Sequence, residues 1–109
     1  MLFAYTVSVQ LIRALRGPLA AIARQDKALA DQVRRAASSV ALNIAEGERR
    51  VGRDQAHLFR IAAGSCAEVR AALDVALGWS YVEEDALGVA LALIDRELGL
   101  LWGLTHRTS

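Results

Sequence analysis

Charged and polar side chains that could carry out acid–base chemistry recur at helical spacing along the chain. Their carboxylate, guanidinium, hydroxyl and amide groups belong to Arg35, Ser39, Asn43, Glu46, Ser65, Glu68, Arg70 and Glu97. No phosphate-binding glycine loop, nucleophile elbow or cofactor fingerprint accompanies these groups, and paired charges within a bundle commonly fix helix register. We therefore predict no catalytic residue and no enzyme activity, and interpret six side chains as a structural polar network. This network consists of Arg35, Ser39, Asn43, Glu46, Ser65 and Glu68.

A metal centre or a thiol nucleophile is not indicated either. Di-iron four-helix bundles use glutamates together with two Glu-x-x-His pairs, and the nearest approach in this chain is Asp54 followed by His57. We interpret His57 as a surface residue in a first helical turn. Cys66 lies on an apolar stripe without a histidine at neighbouring core spacing, so it is expected to behave as a small buried hydrophobic residue. We predict no metal and no cofactor.

The polar network needs helices to hold it, and the clearest of these lies around residues 32–47. One face has apolar residues at a 4-4-3-4 spacing that only a buried helical face requires: Leu29, Val33, Ala37, Val40 and Ile44. A polar seam adjoins it: Gln32, Ala36, Ser39, Asn43 and Glu46. Because a buried polar group without a partner costs about 1 to 3 kcal/mol, this seam should dock on matching groups of another helix. Gly47 is predicted to end the helix as a left-handed C-terminal cap.

Two further breaks delimit the first half of the chain. The first helix is predicted over residues 3–16, where Gly17 and Pro18 interrupt it. Residues 19–24 then form either a short restarted helix or the far side of a kink, and we favour the kink. Asp26 is the expected N-cap of a second helix over residues 27–46.

The second half of the chain contains two more predicted helices. The third covers residues 55–77 with Asp54 as its cap, and Gly64 within it indicates close approach of another backbone. The fourth covers residues 83–104, where Ser80 and Glu83 have capping-box spacing. The predicted fold class is all-α: an antiparallel up-down-up-down four-helix bundle with a kinked first helix, formed by a single domain over residues 1–109.

The short connector over residues 47–53 makes the second and third helices antiparallel neighbours. Residues equally distant from its centre should then face one another. This register places Arg35 opposite residues 65–68, so we predict an ion pair between Arg35 and Glu68.

The composition suits a helical protein of the cytoplasm. Hydrophobic residues make up 54% of the 109 residues, and a single cysteine excludes a disulfide within the subunit. The uncharged stretch over residues 2–12 is too short to span a bilayer and lacks the preceding basic residues of a signal peptide. We therefore expect a cytoplasmic protein without membrane association.

The basic residues are unevenly distributed, although the net charge is only +1. Residues 1–60 carry ten basic and five acidic side chains, whereas residues 61–109 carry three and seven. Twelve of the thirteen basic residues are arginine, which pairs bidentately with carboxylate or phosphate, so either surface ion pairs or nucleic-acid contacts could result. Three arginines of the glycine-containing connector, Arg49, Arg50 and Arg53, form a predicted basic rim that could bind nucleic acid.

The predicted fourth helix is apolar or small on nearly every side. Such a terminal helix implies burial between subunits, and the candidate interface residues are Val89, Leu93, Leu100 and Leu104. We therefore predict a homo-oligomer. Trp79, Tyr81 and Trp102 could stack on bases, but packing or interface anchoring is the favoured interpretation.

A longer pattern connects these features: Gln32, Arg35, Ala36 and Ser39, then NIAEG at residues 43–47, then Ala63, Gly64, Ser65 and Glu68. Over essentially the whole chain it resembles the bacterial four-helix bundle proteins. That family includes the rRNA intervening-sequence proteins and, more distantly, the accessory variability protein of diversity-generating retroelements. The resemblance implies an up-down-up-down bundle that forms a ring, commonly a pentamer. In the retroelement branch it further implies a nucleic-acid-associated partner of a reverse transcriptase.

The predicted function is a non-enzymatic oligomeric scaffold with weak, non-specific binding of RNA or DNA through the basic rim. The alternative is a purely structural or protein-binding ring without nucleic-acid contact. A small bundle enzyme is the least favoured of the three hypotheses.

Overall fold

A computed structural model describes residues 2–106 of the protein, which form an all-α fold without a strand. The four α-helices are α1 (Phe3–Gln25), α2 (Lys27–Glu48), α3 (Gly52–Gly78) and α4 (Gly88–Thr105). A short 3₁₀ helix over Glu84–Leu87 precedes α4. The prediction of four helices is confirmed. Within the described residues no helix combines the length and the apolar character that crossing a membrane requires.

Each helix packs against two others: α1 and α3 both contact α2 and α4. The molecule measures 45 × 22 × 20 Å, so the core is long and narrow. The largest fully buried side chains include Phe59, Leu11, Leu15, Ile22, Ile44, Leu73, Ile94 and Leu101. Four positions of the predicted apolar stripe of α2 are fully buried, namely Val33, Ala37, Val40 and Ile44, while Leu29 is half-buried. Helical periodicity therefore identified the inner face of this helix.

The first helix does not end at residue 16, because α1 remains helical through Gly17 and Pro18 to Gln25. A proline inside a helix removes one backbone hydrogen bond and can cost about 3 kcal/mol. Here Pro18 lies on the buried side of α1, between the buried Leu15 and Ile22. Packing of this face offsets the missing hydrogen bond, so the alternative of a short restarted helix is wrong.

Asp26 begins α2 as predicted, since its carboxylate oxygen Oδ1 accepts a hydrogen bond of 3.0 Å from the Leu29 N–H. The predicted role of Gly47 is wrong. This glycine lies inside α2, which continues to Glu48, and its φ is not positive. It is buried, and a Cβ placed on it would lie only 2.6 Å from Cε1 of Phe59. Gly47 therefore permits close packing of α2 against an aromatic ring of α3.

The caps predicted for the last two helices are also wrong. Val51 is the N-cap of α3, Gly52 follows with a φ of +61°, and Asp54 lies within the first turn. Neither the 3₁₀ helix nor α4 receives a side-chain cap from the described residues, so Ser80 and Glu83 form no capping box. The acidic segment before α4 is therefore shaped by the 3₁₀ turn, and α4 begins five residues later than predicted.

Two backbone hydrogen bonds cap the C-terminal end of α3. The Ser80 N–H donates to the Leu77 carbonyl at 3.0 Å, and the Tyr81 N–H donates to the Ala76 carbonyl at 2.9 Å. These two bonds form a Schellman motif with Ser80 at the left-handed position, where its φ is 61°. Glycine usually occupies this position because a Cβ makes the left-handed conformation costly.

Gly64 does not have the predicted close neighbour. It is exposed, and no atom of the described chain would lie within 4 Å of a Cβ placed on it. The close approach expected from this glycine is therefore absent within residues 2–106.

Candidate functional site

Three residues of the predicted polar network meet where α2 packs on α3. The hydroxyl oxygens of Ser39 and Ser65 lie 2.8 Å apart, and Asn43 Nδ2 donates to both the hydroxyl and the carbonyl oxygen of Ser39 at 2.9 Å. All three residues are half-buried. The hydrogen bonds therefore give these hydroxyl and amide groups partners at the edge of the core.

Arg35 and Glu68 flank this cluster without pairing with each other. They line a cleft of about 270 Å³ together with Gln32, Ala36, Ser39 and Ser65. Among the described residues no ion pair within 4.0 Å joins Arg35 to Glu68, so the predicted pair is wrong. Both side chains are exposed, and an exposed ion pair gains little over hydration of the separate charges.

An ion pair that the sequence pattern did not predict connects α3 with α4. Arg70 Nη1 lies 2.6 Å from Asp95 Oδ1. Arg70 is one of the acid–base candidates named from the sequence, but its partner is not. The pairing is set by the distance between two helices that are separated in sequence, which periodicity alone does not give.

The connector between α2 and α3 holds Arg50 of the basic rim in ion pairs. Arg50 Nη2 lies 2.9 Å from Glu46 Oε2, and Arg50 Nη1 lies 4.0 Å from Asp54 Oδ2. Gln55 Nε2 donates to the carbonyl oxygens of Gly47 and Arg50 at 3.0 and 2.9 Å. These contacts order the connector and partly compensate the charge of Arg50, and they assign Glu46 to the connector rather than to the serine cluster.

The other two arginines of the basic rim are differently placed. Arg49 and Arg53 are exposed, and neither forms an ion pair within 4.0 Å in the part of the chain that the structure describes. The nearby Glu48 accepts a hydrogen bond from the Leu2 N–H, so this carboxylate is directed toward α1. Arg49 and Arg53 are therefore the rim residues whose guanidinium groups are available to an external anion.

The predicted interface residues of α4 are only partly available. Val89 is 69% exposed, whereas Leu93, Leu100 and Leu104 are half-buried against the subunit's own core. Leu100 and Leu104 line an apolar cleft of about 240 Å³ with Leu2, Phe3, Ala4 and Gly103. This cleft lies between the beginning of α1 and the end of α4.

Both tryptophans lie outside the core. Trp79 is 68% and Trp102 is 63% exposed, so of the two predicted roles packing inside the subunit is wrong, and interface anchoring stays a prediction. The indole of Trp102 stacks on the imidazole of His106 with ring centroids 4.1 Å apart and planes 11° apart. Trp79 stacks less closely on Tyr81, at 6.4 Å. The i,i+4 spacing of Trp102 and His106 was the available sequence signal for the first pair.

Two titratable groups are fully buried, Cys66 of α3 and Glu97 of α4. Burial is the largest cause that raises the pKa of the Cys66 thiol to about 12, and the carboxylates of Glu97 and Asp95 add to the effect. The thiol is directed at the Ile94 carbonyl oxygen, 3.9 Å away. A thiol with so high a pKa is protonated at neutral pH and is a poor nucleophile.

Glu97 is fully buried, and neither of its carboxylate oxygens has a hydrogen-bond partner among the described residues. Burial raises its pKa from 4.5 to about 8, so the carboxyl is protonated at neutral pH. Within residues 2–106, no cluster of three or more His, Cys, Asp or Glu side chains could hold a metal ion. His57 is exposed in the second turn of α3.

Comparisons with known proteins agree with this fold. The family described as 23S rRNA-intervening sequence protein matches residues 4–103. A crystal structure of a protein of unknown function from the S23 ribosomal protein family of Bacteroides thetaiotaomicron VPI-5482 superposes with a TM-score of 0.84. That superposition covers 95% of this chain and 99% of the other at 18% sequence identity. No protein of curated function matches the chain.

Proposed function

The chain belongs to the 23S rRNA-intervening sequence protein family, and we propose that it is a non-catalytic, homo-oligomeric scaffold that binds nucleic acid weakly and without sequence preference. The observation that carries this proposal is the pair Arg49 and Arg53, exposed at one end of the molecule without ion-pair partners among the described residues. Guanidinium groups bind phosphate oxygens bidentately, and such contacts do not depend on base sequence.

Phosphate binding by one copy would be weak. In the proposed assembly consecutive helices run antiparallel and the subunits form a ring, with five copies as the resemblance implies. Each added copy brings two more available arginines to the same rim, and multivalent binding can raise avidity by about 10² to 10⁴ over a single site. The name of the family makes RNA the first nucleic acid to test.

The exposed apolar side chain of Val89 and the half-buried leucines beside it support the oligomer. Leu93, Leu100 and Leu104 retain accessible apolar surface on the same side of α4 as Val89. Burying this surface against a second copy would remove it from water. A cytoplasmic location, expected from the composition, and a reverse transcriptase as a further partner, implied by the resemblance, belong to the same proposal.

Nucleic-acid binding is tested by fluorescence anisotropy with a single-stranded RNA of about 20 nucleotides at about 50 mM salt. Changing Arg49 and Arg53 together to alanine should weaken binding and make the plot of log K against log salt shallower, by about 0.7 for each phosphate that the variant no longer neutralises. The matched control changes Arg16 and Arg24, two exposed arginines of α1, and removes the same net charge. Equal weakening in both variants would mean that net charge rather than the rim drives binding.

Absence of binding by the wild-type protein under these conditions would reject the nucleic-acid part of the proposal. The alternative, a purely structural or protein-binding ring, would then take its place. It requires the same oligomer but no phosphate contact at Arg49 and Arg53.

The oligomer is tested by light scattering at micromolar concentration, where the mass should be several times the 11.8 kDa of one subunit. Val89→Lys should lower this mass without unfolding the subunit, because the side chain is largely exposed. Val51→Lys is the matched control, since Val51 is exposed in the connector, at the opposite end of the molecule from Val89. A monomeric wild-type protein would reject the ring.

A further inference from the structure

Contacts among three helices bring several residues to one end of the molecule. The Leu2 N–H, just before α1, donates a hydrogen bond to the carboxylate of Glu48 at the end of α2. The guanidinium carbon of Arg96 in α4 lies 4.6 Å from the ring centroid of Phe3 in α1. Leu2 and Phe3 also share an apolar cleft with Leu104. The beginning of α1 and the ends of α2 and α4 are therefore neighbours, and the exposed Trp102 lies at the same end as the connector arginines.

The Trp102–His106 stack has the geometry of a preformed aromatic surface. His106 covers one face of the indole at 4.1 Å, yet Trp102 remains 63% exposed, so its opposite face is open to solvent. His106 is itself held, because its Nδ1 lies 2.8 Å from the Trp102 carbonyl oxygen and 3.0 Å from the Thr105 hydroxyl. An indole fixed in this way loses little rotamer freedom when a second ring stacks on it.

Two exposed arginines belong to the half of α3 at the same end of the molecule as this stack. Asp95 of α4 pairs with Arg70 of α3, and Trp102 is seven residues beyond Asp95. In the antiparallel arrangement proposed above, Trp102 is therefore level with α3 residues about seven positions before Arg70, within one turn of residue 63. Arg60 lies in that span; at 100° per residue it is about 80° farther from the buried stripe of α3 than Arg70, on the solvent-facing side next to the flank that Arg70 occupies. Arg60 is exposed, forms no ion pair within 4.0 Å among the described residues, and shares its side of α3 with Arg53.

The other exposed tryptophan has the opposite electrostatic surroundings. Residues 79–87 carry three carboxylates and no basic side chain. Glu83, Glu84 and Asp85 are all exposed there, close in sequence to Trp79. A phosphate backbone would be repelled at Trp79 and attracted at Trp102, which distinguishes two side chains of the same type and similar exposure.

We propose that Trp102 and His106, together with Arg53 and Arg60, form a stacking site for single-stranded nucleic acid. An unpaired base stacks on the open face of the indole, and the two guanidinium groups bind phosphates of the same strand. A duplex keeps its bases stacked internally, so it can use the arginines but not the indole. The proposal rests on the proposed nucleic-acid binding and specifies its form.

This site is compatible with the proposed ring. At 3.6 residues per turn, Trp102 lies on the side of α4 opposite Val89, Leu93, Leu100 and Leu104. A neighbouring subunit that covers those four residues therefore leaves the indole accessible.

The test compares a labelled single-stranded RNA of about 20 nucleotides with the same sequence as a duplex. Wild-type protein should prefer the single strand. Trp102→Ala should weaken single-strand binding about 5- to 150-fold and leave duplex binding unchanged, whereas Trp102→Phe should keep much of the preference. Trp79→Ala, the matched control in acidic surroundings, should behave as wild type.

A spectroscopic measurement makes the result independent of these affinities. In Trp79→Phe protein, Trp102 is the only tryptophan, and base stacking should quench its fluorescence when RNA is added. RNA binding without quenching, or with full affinity in Trp102→Ala, would overturn the stacking site while leaving the proposed function intact. Failure of wild-type protein to bind either RNA would reject both.

Discussion

Replacing Gly47 by alanine separates two opposing effects of adding one methyl group. The new Cβ would lie 2.6 Å from Cε1 and 2.9 Å from Cδ1 of Phe59, whereas carbon atoms prefer about 3.5 to 4.0 Å. Phe59 is fully buried, so its ring cannot move without displacing other core side chains. Overpacking of this kind costs about 1 to 3 kcal/mol.

The same substitution also favours the helical backbone by about 0.5 to 1 kcal/mol. Gly64→Ala isolates this gain, because Gly64 is exposed within α3 and its Cβ would meet no atom of the described chain within 4 Å. Gly47→Ala should therefore destabilise the protein and Gly64→Ala should stabilise it. The difference between them, about 1 to 3 kcal/mol, corresponds to a gap of about 5 to 20 °C in Tm for a domain of this size.

The assay is thermal unfolding followed by circular dichroism at one fixed protein concentration, because oligomerisation would otherwise shift Tm. A double-mutant cycle with Phe59→Leu adds a control, since the smaller side chain should relieve the clash and make the two changes non-additive. Equal melting temperatures for Gly47→Ala and Gly64→Ala would refute the argument that the Phe59 ring requires glycine at position 47.

Two further predictions concern Glu97 and Ser80. The pKa of Glu97 is about 8 in the folded state, against 4.5 for the free side chain in the unfolded state. Between pH 4.5 and pH 8 the folded state therefore binds more protons than the unfolded state. Stability should therefore fall as pH rises from about 4.5 to about 8, by on the order of 5 kcal/mol, and Glu97→Met should abolish this fall in urea unfolding at the two pH values. Ser80→Gly should raise the free energy of unfolding by about 0.5 to 1 kcal/mol, because glycine adopts the left-handed conformation without a Cβ penalty; an unchanged urea midpoint would contradict this.

Rules that depend only on neighbouring residues predicted much of the fold. The predictions that failed concern positions whose conformation is determined by contacts with residues distant in the sequence. The Asp26 cap and the buried stripe of α2 depend on neighbours within a few positions, so the sequence was sufficient for both. Gly47 fitted the local rule for a C-terminal cap, and only its contact with Phe59, twelve positions away, shows that close packing requires the glycine instead. Pro18 similarly remains helical because its side of α1 is buried, which a local rule for proline does not include.

The candidate site was predicted less completely for a related reason. Arg49, Arg50 and Arg53 have equivalent sequence surroundings, yet only Arg50 reaches the carboxylates of Glu46 and Asp54. Glu97 was missed as a buried residue because a carboxylate is ordinarily assigned to the solvent side. It lies on the buried stripe of Ala90, Ile94 and Leu101 at a 4-3-4 spacing, which was the signal available.

The order in which the helices pack has a consequence for the folding pathway. Contacts between α1 and α2, α2 and α3, and α3 and α4 join neighbours in the sequence, whereas the contact between α1 and α4 closes a loop of nearly the whole chain. Loop closure costs conformational entropy that grows with loop length, so docking of α1 on α4 should be the late event. Because Glu97 is enclosed on α4, ionising it at alkaline pH should accelerate unfolding more than it slows folding. Amide hydrogens of α4 should then exchange before those of α2, which native-state hydrogen exchange can resolve.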